Sequence, residues 1–247
     1  MSRDRRTAVI VQARYGSSRL PGKVLKQLAG RTILEHVLSR CLAIPSADVV
    51  VCATTEGTHE DAIANIAESM GVQVFRGSET DVLDRYARAA EAAQADIVMR
   101  VTSDCPLIDP AICDDVLHLR ESFSADYAAN NLSPEWPHGL DCEAFTIDAL
   151  LAADREATKA YDREHVTPWI RRCEGYQRVN LSNPAGHHAN LRWTLDYQED
   201  FAFFEALFAR LPDHTSMPGT EELLQLVDRE PDLREINGHL ALPSSKI

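Results

Sequence analysis

None of the six cysteines of this chain forms a Cys-x-x-Cys pair, which removes the usual zinc-ribbon and redox-dithiol frameworks. They are scattered, and several sit in apolar context, as in Val50-Val51-Cys52-Ala53, so they read as buried thiols of a reduced compartment. No apolar run approaches the length of a membrane span, and no secretory apolar segment follows Met1; the expectation is a cytoplasmic protein. No linker rich in Gly, Pro or Ser, no internal repeat and no low-complexity tract divides the 247 residues, so residues 1–247 are expected to form one domain. Aromatic residues are scarce at 6%, and the net charge is −13. An acidic balance excludes general binding to nucleic acid or to an anionic membrane.

What is present is an ordinary globular composition, 45% apolar and 26% charged, with an uneven charge distribution. Residues 1–40 carry nine Lys or Arg against two acids, and the remainder carries 16 against 36. A solvated basic N-terminus at Arg3, Arg5 and Arg6 accounts for part of that excess. It does not account for Arg14, Arg19 and Lys23, which lie in Gln12-Ala13-Arg14-Tyr15-Gly16-Ser17-Ser18-Arg19-Leu20-Pro21-Gly22-Lys23. This stretch follows an apolar run, Ala8–Val11, that reads as a buried strand, and it precedes a helical pattern around Ile33–Leu38. Two glycines allow close backbone approach, Ser17 and Ser18 offer hydroxyls, and Arg14, Arg19 and Lys23 neutralise charge. That is a cradle for a polyphosphate.

The stretch is not a P-loop. Five residues separate Gly16 from Gly22 where that motif has four, and Val24 stands where it needs a magnesium-binding hydroxyl. No Gly-x-Gly-x-x-Gly occurs, which excludes the dinucleotide fingerprint.

Strand-like runs near 7–12, 48–53, 72–75 and 96–101 alternate with helical patterns near 32–43, 58–70 and 80–94. The continuously apolar runs at 48–53 and 96–101 predict parallel strands covered on both faces. Thr58 and Asp61 resemble a capping box. The fold class predicted is α/β, an open, mostly parallel sheet flanked by helices. After about residue 120 the pattern changes. Strand-like pieces at 125–130, 140–146, 177–182 and 189–195 mix with helices near 147–156, 162–172 and 198–211, which predicts a mixed-sheet half. The first half is expected over about 7–120 and the second over about 121–247. Phe201, Phe203, Phe204, Leu207 and Phe208 have helical spacing and read as core or dimer packing. His187-His188, after Asn183-Pro184-Ala185-Gly186, reads as a turn.

Open parallel sheets bind ligands outside the carboxyl ends of their strands. Strand-end residues are therefore the candidates: the Arg14–Lys23 loop, the Ala53-Thr54-Thr55 corner, Arg100 through Asp104, and Asp196 after Arg192–Leu195. Two carboxylates beside a polyphosphate have a physical purpose, because they hold Mg2+, which bridges phosphate oxygens. Asp104 and Asp196 are the candidate pair.

These motifs, with Phe75-Arg76-Gly77, Asp81-Val82-Leu83…Arg85-Tyr86, Thr102-Ser103-Asp104-Cys105-Pro106-Leu107-Ile108, Gly139-Leu140-Asp141-Cys142-Glu143, Arg163-Glu164-His165-Val166-Thr167-Pro168 and Leu195-Asp196…Glu199-Asp200, resemble the cytidylyltransferase family of SpsF type (spore-coat polysaccharide biosynthesis). That family is related to the synthetases that make CMP-KDO and CMP-sialic acid. The similarity spans about residues 7–201. It implies a GT-A-like nucleotidyltransferase fold, CTP as substrate, Mg2+ as cofactor and a homodimer, with about 7–120 as the nucleotide half and about 121–247 as the sugar-binding and dimerisation half. It implies that Ala13, Arg14, Gly16, Ser17, Ser18, Arg19 and Lys23 wrap the phosphates, and that Ala53, Thr54 and Arg100 lie near the base. Arg14, Lys23 and Asp104 would serve catalysis, with Asp104 and Asp196 on the metal. The acceptor implied is a sugar, of the acidic nonulosonic kind, with Arg76, His138, Asp141, Glu143, Arg163 and His165 as candidate partners. Competing readings are a sugar-1-phosphate nucleotidyltransferase, a GT-A glycosyltransferase, which usually carries an Asp-x-Asp absent from Asp104-Cys105-Pro106, and a non-catalytic nucleotide-binding subunit.

Overall fold

Alternation along the strands sorts the core into two layers. In a computed structural model that describes residues 5–183, 186, 188–212 and 217–241, Val9 and Val11 join one apolar cluster and Ala8 and Ile10 the other. All four are fully buried. Arg3, Pro184, Ala185 and His187 lie outside the described residues. In chain order the elements are β1 Thr7–Gln12, β2 Gln27–Leu28, β3 Arg31–Thr32, α1 Ile33–Leu42, β4 Val49–Thr55, α2 Asp61–Ser69, β5 Gln73–Gly77, α3 Val82–Ala92, β6 Ile97–Thr102 and α4 Pro110–Ser122. There follow β7 Tyr127–Ala129, β8 Glu143–Thr146, α5 Ile147–Glu156, α6 Ala160–His165, α7 Pro168–Arg172, β9 Arg178–Asn180, α8 Gln198–Ala209, α9 Thr220–Arg229 and α10 Asp232–Asn237.

Seven strands make one sheet in the order β5-β4-β1-β6-β8-β7-β9. The first four are parallel. β8 runs antiparallel to both β6 and β7, and β9 is parallel to β7. The chain steps outward from β1 to β4 and β5, then returns to the other side of β1 with β6. The crevice at the carboxyl ends of β1 and β6 is the topological switch point, where such sheets bind ligands. One face is covered by α1, α2, α4, α8 and α9, the other by α3, α5 and α7. The phenylalanine cluster of α8 is buried in the first of these layers. Five cysteines are buried and Cys173 is half-buried. Among the described residues no helix is long and apolar enough to cross a membrane.

Four local expectations need correction. The 189–195 run is not a strand; only an isolated bridge pairs Arg192 with His138. The 162–172 helix is broken at Val166, whose φ of 69° is left-handed, as Thr167 N–H donates to His165 O across a positive-φ γ-turn. Thr58 starts a short 3-10 turn instead of capping α2, because Glu60, the residue before α2, turns its carboxylate inward. The capping box forms between Thr32 and Glu35, at α1. Helices α4, α9 and α10 were not marked by the sequence pattern.

Candidate active site

The phosphate-cradle loop is closed on itself by backbone geometry. Gly22 N–H donates to Tyr15 O at 3.1 Å. Gly22 holds a φ of 65°, and a Cβ there would stand 3.2 Å from the Tyr15 ring; both favour glycine. The start of the loop is pinned from below. Ala13 N–H donates to Ala53 O at 3.1 Å, and Tyr15 N–H reaches both carboxylate oxygens of buried Glu60 at 3.1 Å. Thr54 donates its hydroxyl to the same carboxylate at 2.8 Å. Thr54 and Ala53 are therefore the floor under the loop, fully buried, and not a surface open to a base.

After Gly22 the chain enters a 3-10 turn, Lys23–Leu25, anchored by buried Val24. This aims Lys23 back across the strand ends. Its Nζ donates to Asp104 Oδ2 at 2.8 Å, Asp196 Oδ1 at 2.9 Å and Leu195 O at 2.7 Å. The two aspartates lie far apart in sequence, and a backbone bond brings them together: Leu195 N–H donates to Asp104 O at 2.8 Å. Thr102 donates to Asp104 Oδ1 at 2.6 Å, fixing the carboxylate's orientation. Arg19 reaches Asp196 at 3.0 Å and lies over the Tyr197 ring.

Burial resists ionisation of Asp104, but the Lys23 charge and its hydrogen bond outweigh that and hold the carboxyl below its ordinary value. In the same way burial pushes the Lys23 ammonium down, and the two aspartates more than restore it, leaving it raised. Both groups are charged at neutral pH.

Asp196 is held by a second tier that the sequence pattern did not reveal. Buried Arg192 donates to both Asp200 oxygens at 2.8 and 2.9 Å and to Asp196 at 3.3 Å. Asp200, fully buried, also accepts the backbone N–H groups of Asp196 and Tyr197 and the Asn237 amide. The segment carrying Arg192 can lie this close because residue 139 is glycine. A Cβ on Gly139 would fall 2.3 Å from Trp193 O. Gly139 and Asp200, from two different motifs, thus both serve the seating of Asp196.

Around this cluster lies a cleft of about 480 Å³. Its walls include Ala13, Arg14, Gly16, Ser17, Ser18, Arg19 and Lys23 from the loop, Arg100 through Asp104 from the end of β6 apart from buried Val101, and Asp196. Glu79, Thr80, Val82 and Arg85, from the β5–α3 junction and α3, and Glu164 and His165, from α6, complete it. Arg100 is fixed by Glu143, its register partner across β6 and β8, at 2.6 Å. Buried Glu143 also accepts from Tyr127, Thr167 and Arg171. Burial opposes its charge, yet the two arginines and the hydroxyls win and hold it at about 2. Glu143 is thus a hub beneath the cleft and not a direct ligand.

The other acceptor-binding candidates divide. His165 lines the cleft, packed against Tyr161 with ring centroids 4.4 Å apart. Arg163 instead clamps Asp81 and Asp154, tying α6 to α3 and α5. Arg76 bonds Asp61 and Gly57 O on the outer strand β5. His138 and Asp141 border a separate recess of about 140 Å³.

A family model described as cytidylyltransferase matches residues 8–224. The spore coat polysaccharide biosynthesis protein SpsF of Bacillus subtilis (strain 168) is 32% identical, over 90% of this chain and 94% of its own. Among solved structures, a cytidylyltransferase from Leptospira borgpetersenii serovar Hardjo-bovis (strain JB197) superposes with a TM-score of 0.87 at 30% identity, covering 93% of this chain and 96% of that one. A CMP:2-keto-3-deoxy-manno-octonic acid synthetase solved with CTP superposes at 0.63 and 18% identity, over 83% and 99% of the two chains, a likeness of fold. With the family model spanning nearly the whole described fold, and a close structural relative of the same kind, this chain belongs to the cytidylyltransferase family.

Proposed function

We propose that this protein moves the cytidylyl group of CTP onto a sugar hydroxyl and releases pyrophosphate, with Mg2+ bound at Asp104 and Asp196. The observation that carries the reading is the convergence of these two carboxylates on one cation, the Lys23 ammonium, beside a closed polyphosphate loop. The donor set suits magnesium, which takes oxygen ligands and is often bound by one or two carboxylates plus substrate phosphates. Among the described residues no three His, Cys, Asp or Glu side chains converge, so phosphate oxygens and waters would complete the shell. The charge balance supports the same reading. Five cations and four carboxylates line the cleft, too little positive charge for a triphosphate alone. When bound, the metal supplies Lewis-acid neutralisation of the phosphate oxygens.

The chain's own residues supply position and field. Arg14 and the Ser17 and Ser18 hydroxyls border the path of the phosphates, and Arg19 and Lys23 offer charge to the departing pyrophosphate. Arg100 is immobilised by Glu143 and presents a fixed guanidinium to the cleft floor. The acceptor we propose is an acidic sugar of the nonulosonic kind, on the fold's likeness to a CMP:2-keto-3-deoxy-manno-octonic acid synthetase; His165 is its candidate partner within the cleft. The setting proposed is cytoplasmic synthesis of an activated sugar for surface polysaccharide, by a homodimer, which sedimentation would test.

The test is pyrophosphate release from CTP and Mg2+ with a panel holding acidic sugars, neutral sugars and a sugar 1-phosphate. Release with an acidic sugar alone is expected. Release only with the 1-phosphate would replace the acceptor class. No release with any acceptor, with no CTP binding by calorimetry, would sink the reading.

A further inference from the structure

Arg85 sits on α3, one turn in from its start, and is only 2% exposed. Its guanidinium makes one hydrogen bond, to Ser78 O. Among the described residues its Nε is buried with no partner, and no carboxylate lies within ion-pair distance of the guanidinium. Burial pushes its pKa down; Tyr86 opposes this, Arg14 adds to it, and Glu60 opposes it from beyond ion-pair distance. A buried cation without an ion-pair partner is costly, and folded proteins rarely keep one without a purpose.

Two other arginines, Arg40 and Arg120, are equally buried and, among the described residues, also lack a carboxylate partner. They differ in place. Arg40 is spent on the carbonyls of Ile108 and Pro218, and Arg120 on that of Ala125. Neither borders the cleft, whereas Arg85 lines it. The fold also makes room for Arg85. A Cβ on Gly77 would stand 3.1 Å from its Cγ and 2.9 Å from the Phe75 ring. Glycine at 77 therefore lets the arginine stem pass under the β5–α3 junction toward the cleft.

We propose that Arg85 is an oxyanion receptor in the cleft wall, taking a phosphate oxygen of the nucleotide on the guanidinium face that the protein leaves unpartnered. The assignment of the oxyanion to a nucleotide rests on the proposed function; the receptor itself rests on the burial, the orphan Nε and the cleft. A fork of donors with one arm fixed by Ser78 O is pre-oriented for a planar or tetrahedral oxyanion.

The experiment uses the full chain with Arg85→Met and Arg85→Lys, and Arg120→Met as a buried-arginine control. Calorimetry measures binding of inorganic tripolyphosphate, CTP and cytidine, and thermal unfolding measures stability. Arg85→Met is expected to unfold within a few degrees of wild type and to weaken tripolyphosphate and CTP about 10- to 100-fold, the size of a charge-assisted bond. Cytidine binding should not change, Arg85→Lys should recover part of the loss, and Arg120→Met should leave all three affinities unchanged. If tripolyphosphate and CTP binding are unaffected while KM rises for acidic but not neutral acceptors, the proposal is overturned, because the oxyanion would be the acceptor's carboxylate and not a nucleotide phosphate. Equal loss for cytidine, no loss for any ligand, or unfolding of both Arg85 variants would overturn the proposal. Weakened tripolyphosphate binding in a protein that never turns over CTP would keep the receptor and remove the cytidylyl reading.

Discussion

The two halves of the sheet handle charge in opposite ways. In β1, β4 and β6 most residues are apolar and buried; Arg100 is the one charged residue of these three strands, and the other charges collect in loops beyond the strand ends, where Lys23 and Asp104 can meet a ligand. In β7 and β8 the charge is inside. Glu143 is 2% exposed within the sheet and binds Arg100 and Arg171. The first half offers its charges for chemistry; the second consumes its own to hold a scaffold. The same residue types therefore carry different consequences on either side of β6.

Lys23→Met and Asp104→Asn are expected to have the largest effect. Each removes a group from the strand-end cluster, and turnover should fall by about 10²–10⁴-fold, as when a preorganised charge is removed from a transition-state site. Folding should survive, since both side chains are partly open to the cleft. Pyrophosphate release and circular dichroism, read together, check this. Unchanged turnover in both variants would erase the contrast between the halves. In the absence of nucleotide, Lys23→Met should also bind Mn2+ more tightly than wild type by spin-resonance titration, because the ammonium no longer occupies the space between the carboxylates.

Glu143→Gln should act on stability instead. It leaves the largely buried Arg100 and the half-buried Arg171 beside a neutral amide; breaking a fully buried pair costs about 3–5 kcal/mol, which is the upper bound expected here by urea unfolding. The pH dependence has a definite sign. The Glu143 pKa falls from 4.5 unfolded to about 2 in the fold, so its contribution is complete above about 4.5 and lost as pH drops toward 2. The variant should lack that acid-sensitive component. An equal acid slope in both proteins would show that Glu143 is not the hub.

Legibility follows the same division. The parallel strands were readable because both faces are covered, which writes a continuous apolar run into 48–53 and 96–101. The cradle was readable because it gathers Arg14, Arg19 and Lys23 within a dozen residues after a strand. Asp104 and Asp196 were readable as strand-end acids, although Asp196 follows an extended bridge and not a strand. What holds them was not readable. The Leu195–Asp104 backbone bond and the Gly139 crossing join residues tens of positions apart, and the Arg192–Asp200 pair spans a turn between irregular backbone and α8, with no period to betray any of them. Thr54 misled for a related reason: a small polar residue at a strand end serves equally to face a ligand or to bind a buried carboxylate, and Glu60 decides. Arg163 and Arg76 misled because an arginine's partner is invisible in sequence, and both proved to be paired with aspartates outside the cleft.

Arg76→Ala should have the smallest effect, and it tests that last point. The Arg76–Asp61 pair measures 2.7 Å, but its two side chains are 34% and 52% exposed, so solvent screens it and its loss should cost about 0–1 kcal/mol. Arg76 lies on β5, a sheet-edge strand in the described structure, and its guanidinium is turned to the start of α2, away from the cleft. KM for the acceptor and KM for CTP should both stay within twofold of wild type. A selective rise in acceptor KM would mean that β5 turns its outer charges toward substrate, and that the nucleotide half, not the second half, reads the sugar.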